Sequence, residues 1–92
     1  MPITVTPVNE TTFEVTVGSR ATTTHTVTVA PDYWQKLTAG KVPPAKLVEK
    51  SFEFLLDREP NTSILRTFDL PVIQSYFPDY ERSIRTWAAK SE

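Results

Sequence analysis

Residues 1–30 alternate in polarity. Ile3, Val5, Phe13, Val15, Val17, Val27 and Val29 fall on odd positions, while Thr4, Thr6, Thr12, Glu14, Thr16, Thr22, Thr24, Thr26 and Thr28 fall on even ones. A period of two belongs to extended strands, whose successive side chains point to opposite faces. Valine and threonine are both β-branched and suit a pleated surface. The pattern therefore predicts a sheet with one apolar face against a core and one threonine face in water.

Parity also limits the register. Odd residues of two antiparallel strands share a face only when paired positions sum to an even number. A loop of three or five residues starting at Gly18 meets this condition, pairing Val17 with Ala21 or with Thr23, and leaves Gly18 for a positive φ angle. The same rule at Val8 to Glu10 sets Val5 opposite Phe13 and Ile3 opposite Val15. Pro7 cannot donate to a ladder, so the first strand is expected at a sheet edge.

After Val29 the period lengthens to that of a helix. Pro31 and Asp32 open a short one in which Tyr33, Trp34 and Leu37 share a face, ending at Gly40. Pro43 and Pro44 open a longer helix over residues 44–58, with Leu47, Val48, Ser51, Phe52, Leu55 and Leu56 as its apolar arc. Lys46, Glu49, Lys50, Glu53 and Asp57 face water, and Phe54, outside the arc, predicts a second contact with something C-terminal. Pro60 stops this helix, and Asn61 or Thr62 caps a turn through Ile64 and Leu65. Asp69 is expected to start a brief helix carrying Leu70, Ile73, Tyr76 and Phe77. Pro78 separates it from a last helix carrying Tyr80, Ile84, Trp87 and Ala88.

The expectation is an α+β fold in one domain, residues 1–92. An antiparallel β-meander of two or three strands (1–30) is followed by a helical part (31–90) whose three to four helices pack on one sheet face. So small a sheet covers few apolar helix residues. That predicts self-association, a homodimer formed through a strand edge or the C-terminal aromatics.

Two resemblances attach to particular segments. Ser51-Phe52-Glu53-Phe54-Leu55-Leu56, Arg58 to Leu65 and Phe68-Asp69-Leu70-Pro71-Val72-Ile73, with Thr26 to Val29 and Tyr33 to Thr38 before them, resemble a group of short bacterial conserved hypothetical proteins. This resemblance covers most of the chain; it implies a free-standing bacterial protein and carries no site. His25 to Val29, Pro31, Gly40 and the helix from Pro44 resemble the ribbon-helix-helix repressors over about a third of the residues. That resemblance implies an intermolecular strand ribbon reading the DNA major groove. The chain departs from it in a first helix about a turn too short, a strand already preceding the ribbon strand, and a threonine reading face. Arg20 is its one cation before Lys36.

Composition narrows the function classes. At 39% hydrophobic and 11% aromatic the chain can build a core, and a formal charge of −1 gives no net field for nucleic acid or an anionic membrane. The lack of cysteine removes disulfides and thiolate chemistry and fits a reducing compartment. Residues 1–8 have no basic or apolar signal segment, and no run of about 18 apolar residues occurs, so the expectation is a cytoplasmic protein with no membrane contact. Asn61-Thr62-Ser63 matches a glycosylation acceptor pattern, which carries no weight without a secretion signal.

Little in the sequence points to catalysis. His25 is the single histidine, at an odd core-facing position beside Phe13 or Val15, with no orienting carboxylate nearby, and it reads as a packed residue. Glu49, Glu53 and Asp57 form a solvated helix face, and the two glycines, Gly18 and Gly40, cannot make a phosphate loop. No catalytic, cofactor or metal site is expected. The aromatic residues suggest something else. Tyr33, Trp34, Tyr80 and Trp87, combined with Arg66, Arg82 and Arg85, have the composition of a protein-binding hot spot. The threonine face reads as solvent-exposed, with an interface, strand addition at a sheet edge and an ice-binding array as lesser readings. The leading functional expectation is a non-catalytic module that binds another protein or itself. The alternatives are a ribbon-helix-helix-like DNA-binding regulator and an enzyme whose residues converge only in the fold.

Overall fold

Three N-terminal strands form the expected meander in the computed structural model, which describes residues 2–18 and 21–90. They are β1 (Ile3–Pro7), β2 (Thr12–Val17) and β3 (Thr23–Thr28), paired antiparallel in sequence order. Phe13, Val15, Val17 and Val27 are buried, and the even-numbered residues between them are half-buried or exposed. The two-face pattern of the sequence is the pattern of the sheet.

The sheet is larger than expected. A fourth strand, β4 (Thr67–Asp69), pairs parallel with β3, and the strand order is β1-β2-β3-β4. This corrects two expectations: the sheet is not wholly antiparallel, and Asp69 closes a strand rather than opening a helix. Three residues with one buried side chain, Phe68, are too short to show a period of two.

Register follows parity, with one adjustment. Val17 pairs with Thr23, the five-residue alternative; Ser19 and Arg20 of that loop lie outside the described residues. Val5 pairs with Val15 and Ile3 with Val17, two residues from the expected partners. The cause is local. Asn9 Oδ1 accepts the N–H groups of Thr11 and Thr12, both at 2.9 Å, and Val8 N–H donates to Thr12 O at 2.8 Å, so the turn centres on Glu10. A shift of two keeps every side chain on its face. Gly18 has no positive φ, contrary to expectation. It makes a close approach instead: its N–H donates to Pro2 O at 3.0 Å, and a Cβ there would lie 3.1 Å from Pro2 Cγ.

The helices are α1 (Pro31–Thr38), α2 (Pro44–Leu56), α3 (Val72–Tyr76) and α4 (Tyr80–Ala89), with a 3₁₀ turn at Asn61–Ser63. Proline at the first position starts both α1 and α2, where its missing N–H is no loss. Pro78 separates α3 from α4, as the spacing predicts. Ala39 and Gly40 end α1 at φ 53° and 75°. A left-handed alanine is strained, so Ala39→Gly is expected to stabilise the fold by about 0.5 to 1 kcal/mol, read as a higher thermal midpoint.

Phe52, Leu47, Val48 and Leu55 of α2 meet the sheet valines in one core that also takes in Ile73, Tyr80 and Ile84. α2 lies against β1 and β2, and α4 packs on α1 and α2. Phe54 stacks edge-on with Phe77 and Tyr80, at ring distances of 6.0 and 5.3 Å, which is the C-terminal contact its position predicts. On the opposite sheet face Thr4-Thr16-Thr24 and Thr6-Glu14-Thr26-Thr67 form rows across the strands. Thr28 donates to Asp69 beside them. No helix of the described residues is long and apolar enough to cross a membrane.

Candidate functional site

The aromatic and arginine residues singled out above do not gather into one surface. Tyr80 is fully buried, which removes it from any partner surface: as the first residue of α4 it points into the core and hydrogen-bonds Ser51 Oγ at 2.7 Å. Burial holds its phenol well above the usual value. Tyr33 is half-buried and donates to Glu81 Oε2 at 2.9 Å, and Lys36 and Arg85 reach the other Glu81 oxygen at 3.3 and 3.9 Å. This is a clamp between α1 and α4. Desolvation, then the bond to Glu81, raises the Tyr33 phenol. Trp34 Nε1 donates to Val42 O at 2.7 Å and closes the α1–α2 loop. Trp87 is half-buried under Lys50, whose Nζ lies 5.9 Å from the ring centroid, and Arg82 is exposed on the same helix, α4. Arg66 is exposed just before β4, outside these helices.

His25 sits opposite Val15 with no exposed surface, in the core position its parity predicts. Its connections could not be read from sequence. Nδ1 lies 2.7 Å from Leu65 O, and a carbonyl can only accept, so the ring proton is on Nδ1. Nε2 then accepts from the Thr23 hydroxyl at 2.8 Å. Thr23 Oγ1 in turn accepts from Asn61 Nδ2 at 3.0 Å, and the second amide proton of Asn61 goes to Ala21 O at 2.7 Å. The chain is fully satisfied, and it ties the 3₁₀ turn and Leu65 to β3. Asn61 is 3% exposed and committed to this network, so it is no open acceptor for a sugar. Among the described residues no three acids or histidines gather closely enough to hold a metal ion.

The segment held by His25 and Asn61 forms one wall of an apolar groove. The C-terminal end of α2, the loop at Ile64 and Leu65, β4 and α3 enclose a cavity of about 210 Å³. Leu55, Ile64, Phe68 and Ile73 are its buried floor. Leu65 and Tyr76 stand at its rim, 46% and 66% exposed; of the large apolar side chains most exposed among the described residues, only Val8 lies elsewhere. Glu59 also lines the groove, and its carboxyl is raised by desolvation. No ion pair among the described residues includes it; Arg58, next in sequence, pairs with Asp79 at 2.9 Å. A wider depression of about 710 Å³ between α2 and α4 carries Lys50, Glu53, Asp57, Arg58 and Lys90 of both signs around apolar Leu56, Ile84 and Trp87.

Glu59 gives a pH-dependent prediction. A raised carboxyl binds its proton more readily in the folded state, so its cost to stability is full above the raised value and absent below the ordinary carboxylate value. Glu59→Gln is therefore expected to raise the unfolding midpoint slightly at about pH 7 and to leave it unchanged at about pH 3. A lower midpoint at neutral pH would contradict the desolvated carboxylate.

β4 closes the groove on its sheet side and leaves one edge free. Arg66 O accepts from Thr26 N–H at 2.7 Å and Leu70 N–H donates to Thr28 O at 2.9 Å, so Arg66, Phe68 and Leu70 turn their backbone toward β3. Thr67 and Asp69 turn theirs outward.

β3 has no such edge, because it lies between β2 and β4. The strand that would form a repressor's intermolecular ribbon is thus internal to the sheet. No protein-family model, curated protein or solved structure matches the chain.

Proposed function

We propose that the protein is a non-catalytic interaction module whose working surface is the groove beside β4, and that it takes up an apolar segment of another protein. The observation that supports this reading is the pairing of a buried apolar floor with two large apolar side chains left exposed at its rim, Leu65 and Tyr76. Both are already partly buried, so a covering partner would recover a fraction of the about 1.5 to 3 kcal/mol that full burial of a large apolar side chain is worth. The size of the groove argues in the same direction. At about 210 Å³ it falls below the roughly 300–1,000 Å³ usual for small-molecule sites, and it suits one or two side chains of a peptide better than a cofactor. Glu59 is the one acid in the lining and no histidine or lysine stands beside it, so the groove lacks the pair of groups that acid–base catalysis needs. The cysteine-free composition and net charge of −1 suit a reducing compartment, the cytoplasm, and a protein partner in preference to nucleic acid or membrane.

The test is a selection of displayed random peptides on the immobilised protein, followed by affinity measurement on Leu65→Glu and Tyr76→Glu variants whose circular dichroism matches wild type. Selected peptides should share a large apolar residue and lose at least about tenfold in affinity on either variant, the equivalent of about 1.4 kcal/mol. An unenriched pool, or peptides that bind both variants as well as wild type, would overturn the reading.

A further inference from the structure

Resting on the groove reading, we propose that the occupant enters by strand addition. An extended partner segment pairs with the outward backbone groups of Thr67 and Asp69, sets one large apolar side chain against Phe68 and Ile73, and brings a lysine or arginine to Glu59.

The sheet supplies the geometry. β4 is an edge strand, and its pairing with β3 uses Arg66, Phe68 and Leu70, which leaves the N–H and C=O of Thr67 and Asp69 directed away from the sheet. A strand laid there would run about 4.8 Å from β4 and continue the pleat. Side chains alternate in phase across a sheet, so the added residue level with Phe68 points to the groove side, where Phe68 itself is buried against the core. Its neighbours point to the threonine face, beside Thr67 and Asp69. Main-chain bonds then hold the segment while the groove selects the anchor, the division of labour usual in strand-addition recognition. Two outward residues are a short edge, too short to pair indiscriminately, so binding requires the anchor as well.

The charge of the groove chooses the second side chain. Glu59 is its one ionisable lining group besides the Tyr76 phenol, and no ion pair among the described residues neutralises it. A partly desolvated carboxylate beside apolar walls gains from a cation delivered with the ligand, because the cation offsets the hydration lost there. Arg66, exposed at the N-terminal end of β4, makes an acidic residue at the outer end of the segment tolerable, but it does not line the groove.

The experiment uses synthetic peptides of fixed format titrated into the ¹⁵N-labelled protein. These are acetyl-Thr-Thr-Thr-Phe-Thr-Lys-Thr-amide and acetyl-Thr-Lys-Thr-Phe-Thr-Thr-Thr-amide, together with forms carrying Gln or Glu for Lys, Ala for Phe, and N-methyl groups at Phe and at both threonines flanking it, which removes the N–H groups facing β4 in either strand direction. In one of the two directions the Lys peptide should bind several-fold tighter than the Gln form and tighter again than the Glu form, and Glu59→Gln should erase that ranking. The Ala and N-methylated forms should lose binding, and the largest amide shifts should fall on Thr67, Asp69 and the groove walls. Groove shifts that survive N-methylation, or a ranking indifferent to Glu59→Gln, would overturn strand addition or the cation while leaving the groove reading in place. Shifts confined to other surfaces, or no binding by any Phe peptide, would overturn both. A concentration-dependent dimer abolished by Tyr76→Glu would assign the groove to a second copy and overturn the proposal of a foreign segment.

Discussion

Phe52→Ala is expected to lower the free energy of unfolding by about 3 to 5 kcal/mol, the range for deleting a large aromatic side chain from a packed core. Phe52 has no exposed surface and lies midway along α2. Its ring stands 5.3 Å from that of His25 on β3 and 6.1 Å from that of Phe68 on β4, so it is where the central helix meets the two strands of the parallel pair. A chain of 92 residues has a total stability of roughly 5 to 14 kcal/mol, so the substitution removes at least about a fifth of it. Urea denaturation should show a large fall in midpoint with little change in slope. Phe52→Leu, which keeps most of the volume, should cost about 1 to 2 kcal/mol. An alanine variant within about 1 kcal/mol of wild type would mean that α2 does not pack on the sheet as described.

The second large effect concerns the buried polar chain. His25→Phe preserves a ring against Phe52 but leaves the Leu65 carbonyl without its donor and the Thr23 hydroxyl proton without its acceptor, and is expected to cost about 2 to 4 kcal/mol. Asn61→Ala strands Ala21 O and withdraws a donor from Thr23, at about 1 to 3 kcal/mol. The residues belong to one network, so the double variant should cost less than the sum of the two, a coupling that independent packing sites would not show. The network also anchors Leu65. His25→Phe should therefore weaken peptide binding at the groove even at temperatures where the variant remains folded. His25 touches no ligand in this account; it is a positioning residue, and full peptide affinity in a folded His25→Phe protein would remove that role.

Much of this architecture is legible in the sequence because it rests on periodicity. The odd-even rule gives the two faces of the sheet, the parity of its register and the core place of His25. Phe54 lies off the apolar arc of α2 and accordingly meets Phe77 and Tyr80. The two-residue displacement of β1 escapes the rule, since parity cannot distinguish steps of two, and the Asn9 side chain decides between them. β4 escapes it because a strand of three residues has no period, and with β4 hidden the groove beside it was hidden too. Residue type alone places Tyr80 on a surface, because a tyrosine with a buried hydroxyl partner looks the same in sequence as one awaiting a ligand. Ile64 and Leu65 are adjacent and alike, yet one is buried and the other sits at the rim. The backbone there is extended, so the two side chains point to opposite sides, and the segment is held by the bond of the Leu65 carbonyl to a histidine 40 residues away.

The most direct test of the groove as the working surface is backbone amide hydrogen exchange, measured with and without a saturating peptide from the display selection. The account predicts added protection between residues 63 and 77, strongest at Thr67 and Asp69, with the threonine-face residues of β1 and β2 and the α1–α4 clamp unchanged. Protection centred on the threonine face or on Tyr33 and Arg85, with residues 63–77 unaffected, would contradict it.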